Sequence, residues 1–433
     1  MKKELIKEIM RDFHKDPLPD TLPRDLRIPL GSGKIVTLVG VRRSGKSFLL
    51  FETIKQLLSK PKLQKEHILY LNFEDERLEL SQDELQYILQ GYRELYPDIP
   101  LSECYFFFDE VQNIPGWDKF IRRIYDTVTR NIFITGSNAN LLSREIATSL
   151  RGRTLSFEVY PLSFKEYLRF LGIGNDVYHS RTRAKIAHAF EKFLLRGGFP
   201  ELVHFEGKHL KDKVLQEYFN VMLFRDLIER FQFRNVTVLK YLLKRVMESV
   251  TSHLSVNKIY HELKSQGYKV GKNLLYEYID AAEAVFLLLS VKKYDVSVLR
   301  RELSARKVYV IDNGLLNAVT VRFTKDLGKL LENLVLTEFH KRGEDVFFYK
   351  NRRECDFIVT RRGEAREALQ VCYDVSNPDT LKGEMDGLKL ALKVTRLKTG
   401  TILTMDEGKT VEENGVVVNI VPAYKYLLQA SEL

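Results

Sequence analysis

The chain predicts an α/β protein: a parallel sheet covered on both faces, then a helical lid, a small helix-and-hairpin unit and a second α/β region. Three observations carry that prediction. Short apolar runs at 35–41, 67–73, 104–108 and 131–135, rich in β-branched and aromatic residues, alternate with segments of helix length. Such runs are the mark of parallel strands buried on both faces. A glycine-containing loop separates the first run from the helix after it, and beyond Pro161 the strands give way to helical periodicity over 163–235.

The elements follow in order. Residues 1–30 read as an amphipathic helix (Leu5, Ile6, Ile9, Met10, Phe13) and a lead-in in which Pro17, Pro19, Pro23 and Pro29 favour extended chain. Residues 31–160 hold the sheet, and 161–235 the helical lid, interrupted at Gly197-Gly198-Phe199-Pro200. In 236–324, Ser255 caps a helix over 256–264, a second helix runs over 272–283, and 284–291 pairs with 307–311 as a hairpin. Residues 325–433 open on a helix at 327–341 and continue as strands at 346–349, 355–360 and 368–373. A further strand pair, 400–404 and 415–420, precedes a closing helix from Pro422.

Composition bounds the class. The 433 residues include 68 Lys+Arg against 58 Asp+Glu, a net charge of +10, with 44% hydrophobic and 29% charged residues. This is a folded protein, not a disordered or fibrous one. No apolar run approaches the ~18–20 residues of a membrane span. The charged N-terminus is unlike a secretory signal. Cys104, Cys355 and Cys372 form no C-x-x-C pair, which excludes a disulfide scaffold or zinc ribbon and fits a reducing cytoplasm. The positive charge permits nucleic acid binding without establishing it.

Gly40, Val41, Arg42, Arg43, Ser44, Gly45, Lys46 and Ser47 fit G-x-x-x-x-G-K-[ST] between a strand and a helix. Glycine lets main-chain N–H groups turn toward phosphate oxygens without a Cβ in the way. Lys46 reaches the β/γ-phosphates, Ser47 is a Mg²⁺ ligand, and the helix N-terminus favours anions. These residues predict a P-loop NTPase that uses ATP and Mg²⁺. The run 104–108 ends in Asp109-Glu110: Asp109 is placed to hold Mg²⁺ and Glu110 to activate the attacking water. Ser137 and Asn138, after the next strand, are candidates to touch the γ-phosphate or the lytic water, and Arg151 and Arg153 to supply a transition-state cation in cis or from another subunit. Glu74 and Asp75 read as a solvated loop.

Together these motifs resemble the archaeal and bacterial AAA-type ATPases. The resemblance runs through Asn72–Asp75, Asp109–Asn113, Ile134–Asn138, Leu150–Arg153, Pro161–Phe164, Gly197–Glu201 and Glu332 with Cys355-Asp356-Phe357. It implies a P-loop core, a helical lid, a winged-helix unit and a C-terminal domain similar to the PD-(D/E)xK endonuclease fold. It also implies a relation to STAND switches, in which a G-x-P element packs on the nucleotide base; Gly198-Phe199-Pro200 would carry that role.

A nuclease of that fold needs clustered carboxylates and a lysine. Glu332 and Asp356 suit the first positions, but Gln370 and Cys372 stand where Glu and Lys are expected. An amide is a poor ligand for a hard cation and Cys supplies no ammonium. Cleavage is therefore not expected, and Glu332 and Asp356 are expected to be structural, paired with Arg352 or Arg353.

The DNA signal is mixed. The helix 272–283 sets Lys272 against Glu277, Asp280 and Glu283, and phosphates would repel it. The wing carries Lys292, Lys293, Arg300, Arg301, Arg306 and Lys307 against Asp295 and Glu302, and a second basic cluster comprises Lys350, Arg352, Arg353, Arg361 and Arg362. Contact with double-stranded DNA through these clusters, or with a protein partner, is open, as is assembly into homo-oligomers. Three functions are compatible: an ATP-hydrolysing switch or motor whose lid reports nucleotide state, a non-hydrolysing ATP-gated scaffold, and an ATP-controlled nuclease, disfavoured by Gln370 and Cys372.

Overall fold

The four apolar runs become β1 (Ile35–Val39), β2 (Ile68–Asn72), β3 (Tyr105–Asp109) and β4 (Ile132–Gly136), joined by β5 (Thr154–Glu158). The computed structural model describes residues 2–137, 150, 152–320, 326–413 and 415–429. It divides the chain into two compact units, Met1–Val159 and Tyr160–Leu433. In the first, the sheet order is β2-β3-β4-β1-β5 and every pairing is parallel.

Parallel neighbours require crossovers, supplied here by α2 (Lys46–Leu58), α3 (Gln86–Leu95) and α4 (Trp117–Thr127), after the N-terminal α1 (Lys2–Lys15). Phe107 and Phe133 stack at 4.6 Å between ring centroids on adjacent strands. Leu38, Leu50 and Ile54 seal β1 against α2, all fully buried. Helix α1 buries Ile6 and Met10. At its end the His14 ring meets the Tyr96 hydroxyl at 2.6 Å and the Ile68 carbonyl at 2.8 Å. Strand β5 escapes sequence reading because, among the described residues, it pairs with β1 alone and exposes Leu155, Ser156 and Glu158; an edge strand needs no continuous apolar run.

The second unit begins with α5 (Phe164–Phe170), α6 (Ser180–Arg196) and α7 (Lys208–Val221), the last running into a π-wound stretch, Met222–Glu229. Then come α8 (Val236–Glu248), α9 (Val256–Ser265) and α10 (Lys272–Ala284). The hairpin β6 (Leu288–Lys293) and β7 (Lys307–Val310) carries a short helix, α11 (Val298–Leu303), at its tip. Beyond lie α12 (Asn313–Val319), α13 (Leu327–Lys341), β8 (Asp345–Lys350), β9 (Glu354–Arg361), β10 (Glu364–Val371) and α14 (Pro378–Thr395). The chain closes with β11 (Thr399–Thr404), β12 (Lys409–Glu413), β13 (Val416–Pro422) and α15 (Ala423–Gln429).

Among the described residues of the second unit, eight strands form one sheet, β12-β13-β11-β10-β9-β8-β6-β7. The boundary expected at 324/325 is therefore crossed: β6 pairs in parallel with β8 through Lys292–Phe347 and Lys293–Phe348. The β6–β7 hairpin forms one edge of that sheet.

The Gly-Gly pair before Phe199 also has a tertiary reason. Asp312, capping α12, accepts the Gly198 N–H at 2.7 Å and the Leu315 N–H at 3.0 Å. A Cβ on Gly197, whose φ is +72°, would lie 2.0 Å from that carboxylate.

Candidate nucleotide site

The loop between β1 and α2 is shaped by contacts that glycine alone permits. A Cβ on Gly40 would lie 2.1 Å from the Val159 carbonyl oxygen, where β5 closes against β1. Gly45, at φ +96°, starts α2 in the left-handed region. Between them the Ser44 N–H bonds the Val41 carbonyl at 3.2 Å, and Arg24 donates to the Ser44 carbonyl at 2.9 Å. The Ser44 hydroxyl is buried with no hydrogen-bond partner among the described residues. Lys46 is 4% exposed; its ammonium donates to the carbonyls of Gly40 (3.1 Å) and Val41 (3.3 Å).

Asp109 and Glu110 end β3 beside it. Both Asp109 oxygens are held, Oδ1 by the Thr135 hydroxyl of β4 and Oδ2 by the Tyr70 phenol of β2 at 3.0 Å. Ser47 also hydrogen-bonds this carboxylate. Burial and the adjacent Glu110 charge push the Asp109 carboxyl up, against the pull of those three donors. Glu110 takes a left-handed φ of +51° and donates its N–H to Thr135 Oγ1 at 2.8 Å. Its Oε1 lies 3.3 Å from the Lys46 ammonium. Burial pushes this carboxyl up, but the Lys46 charge, the Gln112 hydrogen bond and the Arg42 charge outweigh it, so Glu110 is held below the usual range and ionised at neutral pH.

Residues 32–168 match the model of the AAA domain family, and residues 187–326 match a domain of unknown function (DUF8612). An uncharacterized protein of Methanocaldococcus jannaschii is 34% identical over 99% of this chain and 96% of its own. The chain belongs to the same family as this relative. An uncharacterized protein of Haemophilus influenzae is 32% identical over 79% of this chain and 83% of its own. Among solved structures, a Walker-type ATPase of Pyrococcus abyssi aligns with 73% of this chain and 94% of its own, at 16% identity and a TM-score of 0.42.

In the first unit the loop from Gly40 to Ser47 lies beside Asp109 and Glu110. Glu74 is drawn in as well, paired with Arg42 of the loop, while Asp75 caps a turn and pairs with Arg77 at 2.7 Å. Asn138 and Arg151 lie outside the described residues. Arg153 is a correction. It precedes β5 beside Ile35, at the end of the parallel sheet opposite the loop, and its guanidinium pairs with Asp126 at 2.9 Å. The chain therefore does not bring Arg153 to its own phosphate loop. Pro200 belongs to the second unit, where it opens the turn Pro200–Leu202. Sequence reasoning missed Tyr70 and Thr135. The only signal for Thr135 is a hydroxyl at the end of an otherwise apolar strand, and Tyr70 looks like an ordinary strand aromatic.

The donor set suits a polyphosphate with a hard cation. The Ser44 hydroxyl is buried without a partner among the described residues, and the Lys46 ammonium, held by two loop carbonyls and Glu110, is a cation in the same loop. Ser47 and Asp109 are the oxygen ligands Mg²⁺ prefers. No helix among the described residues is long and apolar enough to cross a membrane.

Proposed function

We propose that this AAA-domain protein binds ATP with Mg²⁺ at residues 40–47 and hydrolyses it. The observation that carries the reading is the buried approach of Lys46 to Glu110, at 3.3 Å, beside Asp109. A cation for phosphate, an ionised base and a metal-binding carboxylate thus share one end of the sheet. In this reading the main chain of Gly40, Val41, Arg42, Arg43, Ser44 and Gly45 cradles the phosphates, and Lys46 moves its ammonium from loop carbonyls to phosphate oxygens. Ser47 and Asp109 would hold Mg²⁺, which neutralises phosphate charge when bound. Glu110 orients the attacking water and takes its proton. Thr135 and Tyr70 fix the Asp109 carboxylate, and Asn138 is assigned to the γ-phosphate.

The second unit is read as the half that uses the nucleotide signal. Its three helices α8 to α10 followed by the β6–β7 hairpin support a winged-helix reading, and α13 with β8 to β11 and α14 supports an endonuclease-like one. A protein partner is favoured over double-stranded DNA. Many basic residues that suggested DNA have partners inside the fold: Lys292 with Glu302, Arg306 with Glu283, Lys350 with Glu354, Arg361 with Glu344, and Arg301 over the Phe347 ring. Exposed Val296, Val298, Leu299 and Leu303 crown the same hairpin.

The test is steady-state ATP hydrolysis with and without double-stranded DNA at moderate salt, with Glu110→Gln as the blank. A rate above the blank and indifferent to DNA supports the protein-coupled ATPase. Stimulation by DNA gives the remaining basic residues a role. A rate no higher than the blank returns the protein to a non-hydrolysing ATP-gated scaffold.

A further inference from the structure

Lys307 opens β7 and is 1% exposed. Its ammonium lies 2.7 Å from Glu332 Oε1 on α13, and 2.9 and 3.2 Å from Glu354 Oε1 and Asp356 Oδ1 on β9. An ammonium has three hydrogens and no acceptor, so three carboxylates saturate it. Arg352 and Arg353, expected as partners of Glu332 and Asp356, are replaced in that role by this lysine.

Further donors reach the same carboxylates. Tyr309 donates to Glu332 at 2.8 Å and the Val371 N–H to Asp356 Oδ2 at 3.0 Å. His253 and Lys350 meet Glu354 at 2.8 and 3.2 Å. Gln370 accepts the Asp356 N–H at 3.2 Å and donates to Glu384 on α14. A hard divalent cation needs about six oxygens near 2.1–2.6 Å, and here the centre holds a covalently attached charge. Among the described residues no group of His, Cys, Asp and Glu side chains is arranged to hold a metal ion. The metal that an endonuclease-like reading implies does not fit.

We propose that the Lys307 ammonium is a tethered cation standing where a divalent metal would otherwise sit among Glu332, Glu354 and Asp356, so that the cluster binds no metal until that ammonium is removed. Its work is mechanical. It ties the β6–β7 hairpin to α13 and β9, because separating them would strand buried carboxylates without a counter-charge. The proposal is independent of the nucleotide site, since Lys307 and Asp109 belong to different units.

The experiment is Ca²⁺ calorimetry on the full chain without nucleotide; Ca²⁺ is chosen because its longer oxygen distances need the least contraction of the cluster. Wild type and Asp356→Asn are expected to give the same heats. Lys307→Met is expected to gain one Ca²⁺ site of about 10⁻³ M or tighter, in the range of weak oxygen-ligand modules, and Lys307→Met with Asp356→Asn to lose it. If Lys307→Met folds only when Ca²⁺ is present, the site is likewise supported. Lys307→Gln, which keeps a polar group among the carboxylates, serves as the second variant. A wild-type Ca²⁺ site that Asp356→Asn removes, or a folded Lys307→Gln that takes up no Ca²⁺, overturns the proposal.

Discussion

The phenol of Tyr70 donates to Asp109 across two neighbouring parallel strands at 3.0 Å. With Thr135 on the other oxygen, the carboxylate is fixed from both flanking strands, so its direction does not depend on a bound metal. Tyr70→Phe removes one donor to a buried carboxyl and leaves the ring packing against Phe13 and Phe51. The expected cost is about 1–2 kcal/mol, read as a lower midpoint in urea unfolding. An unchanged midpoint removes Tyr70 from this role.

Lys46→Ala should weaken ATP binding. Charge-assisted bonds of this kind contribute about 1.5–3 kcal/mol, so affinity should fall by roughly 10- to 150-fold. The variant also leaves Glu110 without its nearest cation. Titration with a fluorescent ATP analogue checks it; affinity equal to wild type would refute the site assignment.

Glu110→Gln should keep binding and lose turnover by about 10²–10⁴-fold, the usual contribution of a positioned base. Glutamine preserves shape, and its one oxygen can still accept from Lys46 or from Gln112, which meet different oxygens of Glu110, so a gross folding defect is not expected. Single-turnover hydrolysis separates the two effects. A rate near that of wild type would take Glu110 out of its assigned role.

Stability should depend on pH through Glu332. Burial and the charge of Asp356 push its carboxyl up to about 8, against the pull of Lys307 and Tyr309. Between the ordinary value of 4.5 and about 8 the unfolded chain releases a proton that the folded chain keeps, so stability falls as pH rises through that window. Glu354 acts oppositely and at lower pH. Although burial raises it, Lys307, His253 and Lys350 hold it at about 2, so its stabilisation is lost only as pH falls below 4.5. Glu332→Gln cannot ionise and should flatten the decline between about pH 5 and 8. Thermal midpoints across that range check this, and a slope that persists in the variant assigns it to other groups.

The legible parts of the molecule are those written in short stretches of chain. The runs at 67–73 and 104–108 become β2 and β3 within a residue or so of their expected ends, because a strand buried on both faces must be apolar throughout. Ser255 caps α9 as its position implies, accepting the Lys258 N–H at 3.3 Å. The edge strands β5 and β12 were not legible. Lys409–Glu413 pairs only with β13 and exposes its lysine and glutamates, so no apolar signal marks it.

The sequence by itself determined the α/β class, the phosphate loop and the carboxylates after β3, since each is set by neighbours in the chain: a glycine turn, a helix start, a strand end. Tertiary structure alone decided what those groups touch. Strand order brings Thr135 to Asp109 from 26 residues away and carries Arg153 to the far end of the sheet. It also sets Lys307 against Asp356, 49 residues apart in the chain. A buried charge must find its counter-charge wherever the fold supplies one, and one-dimensional spacing holds no record of which strand becomes a neighbour.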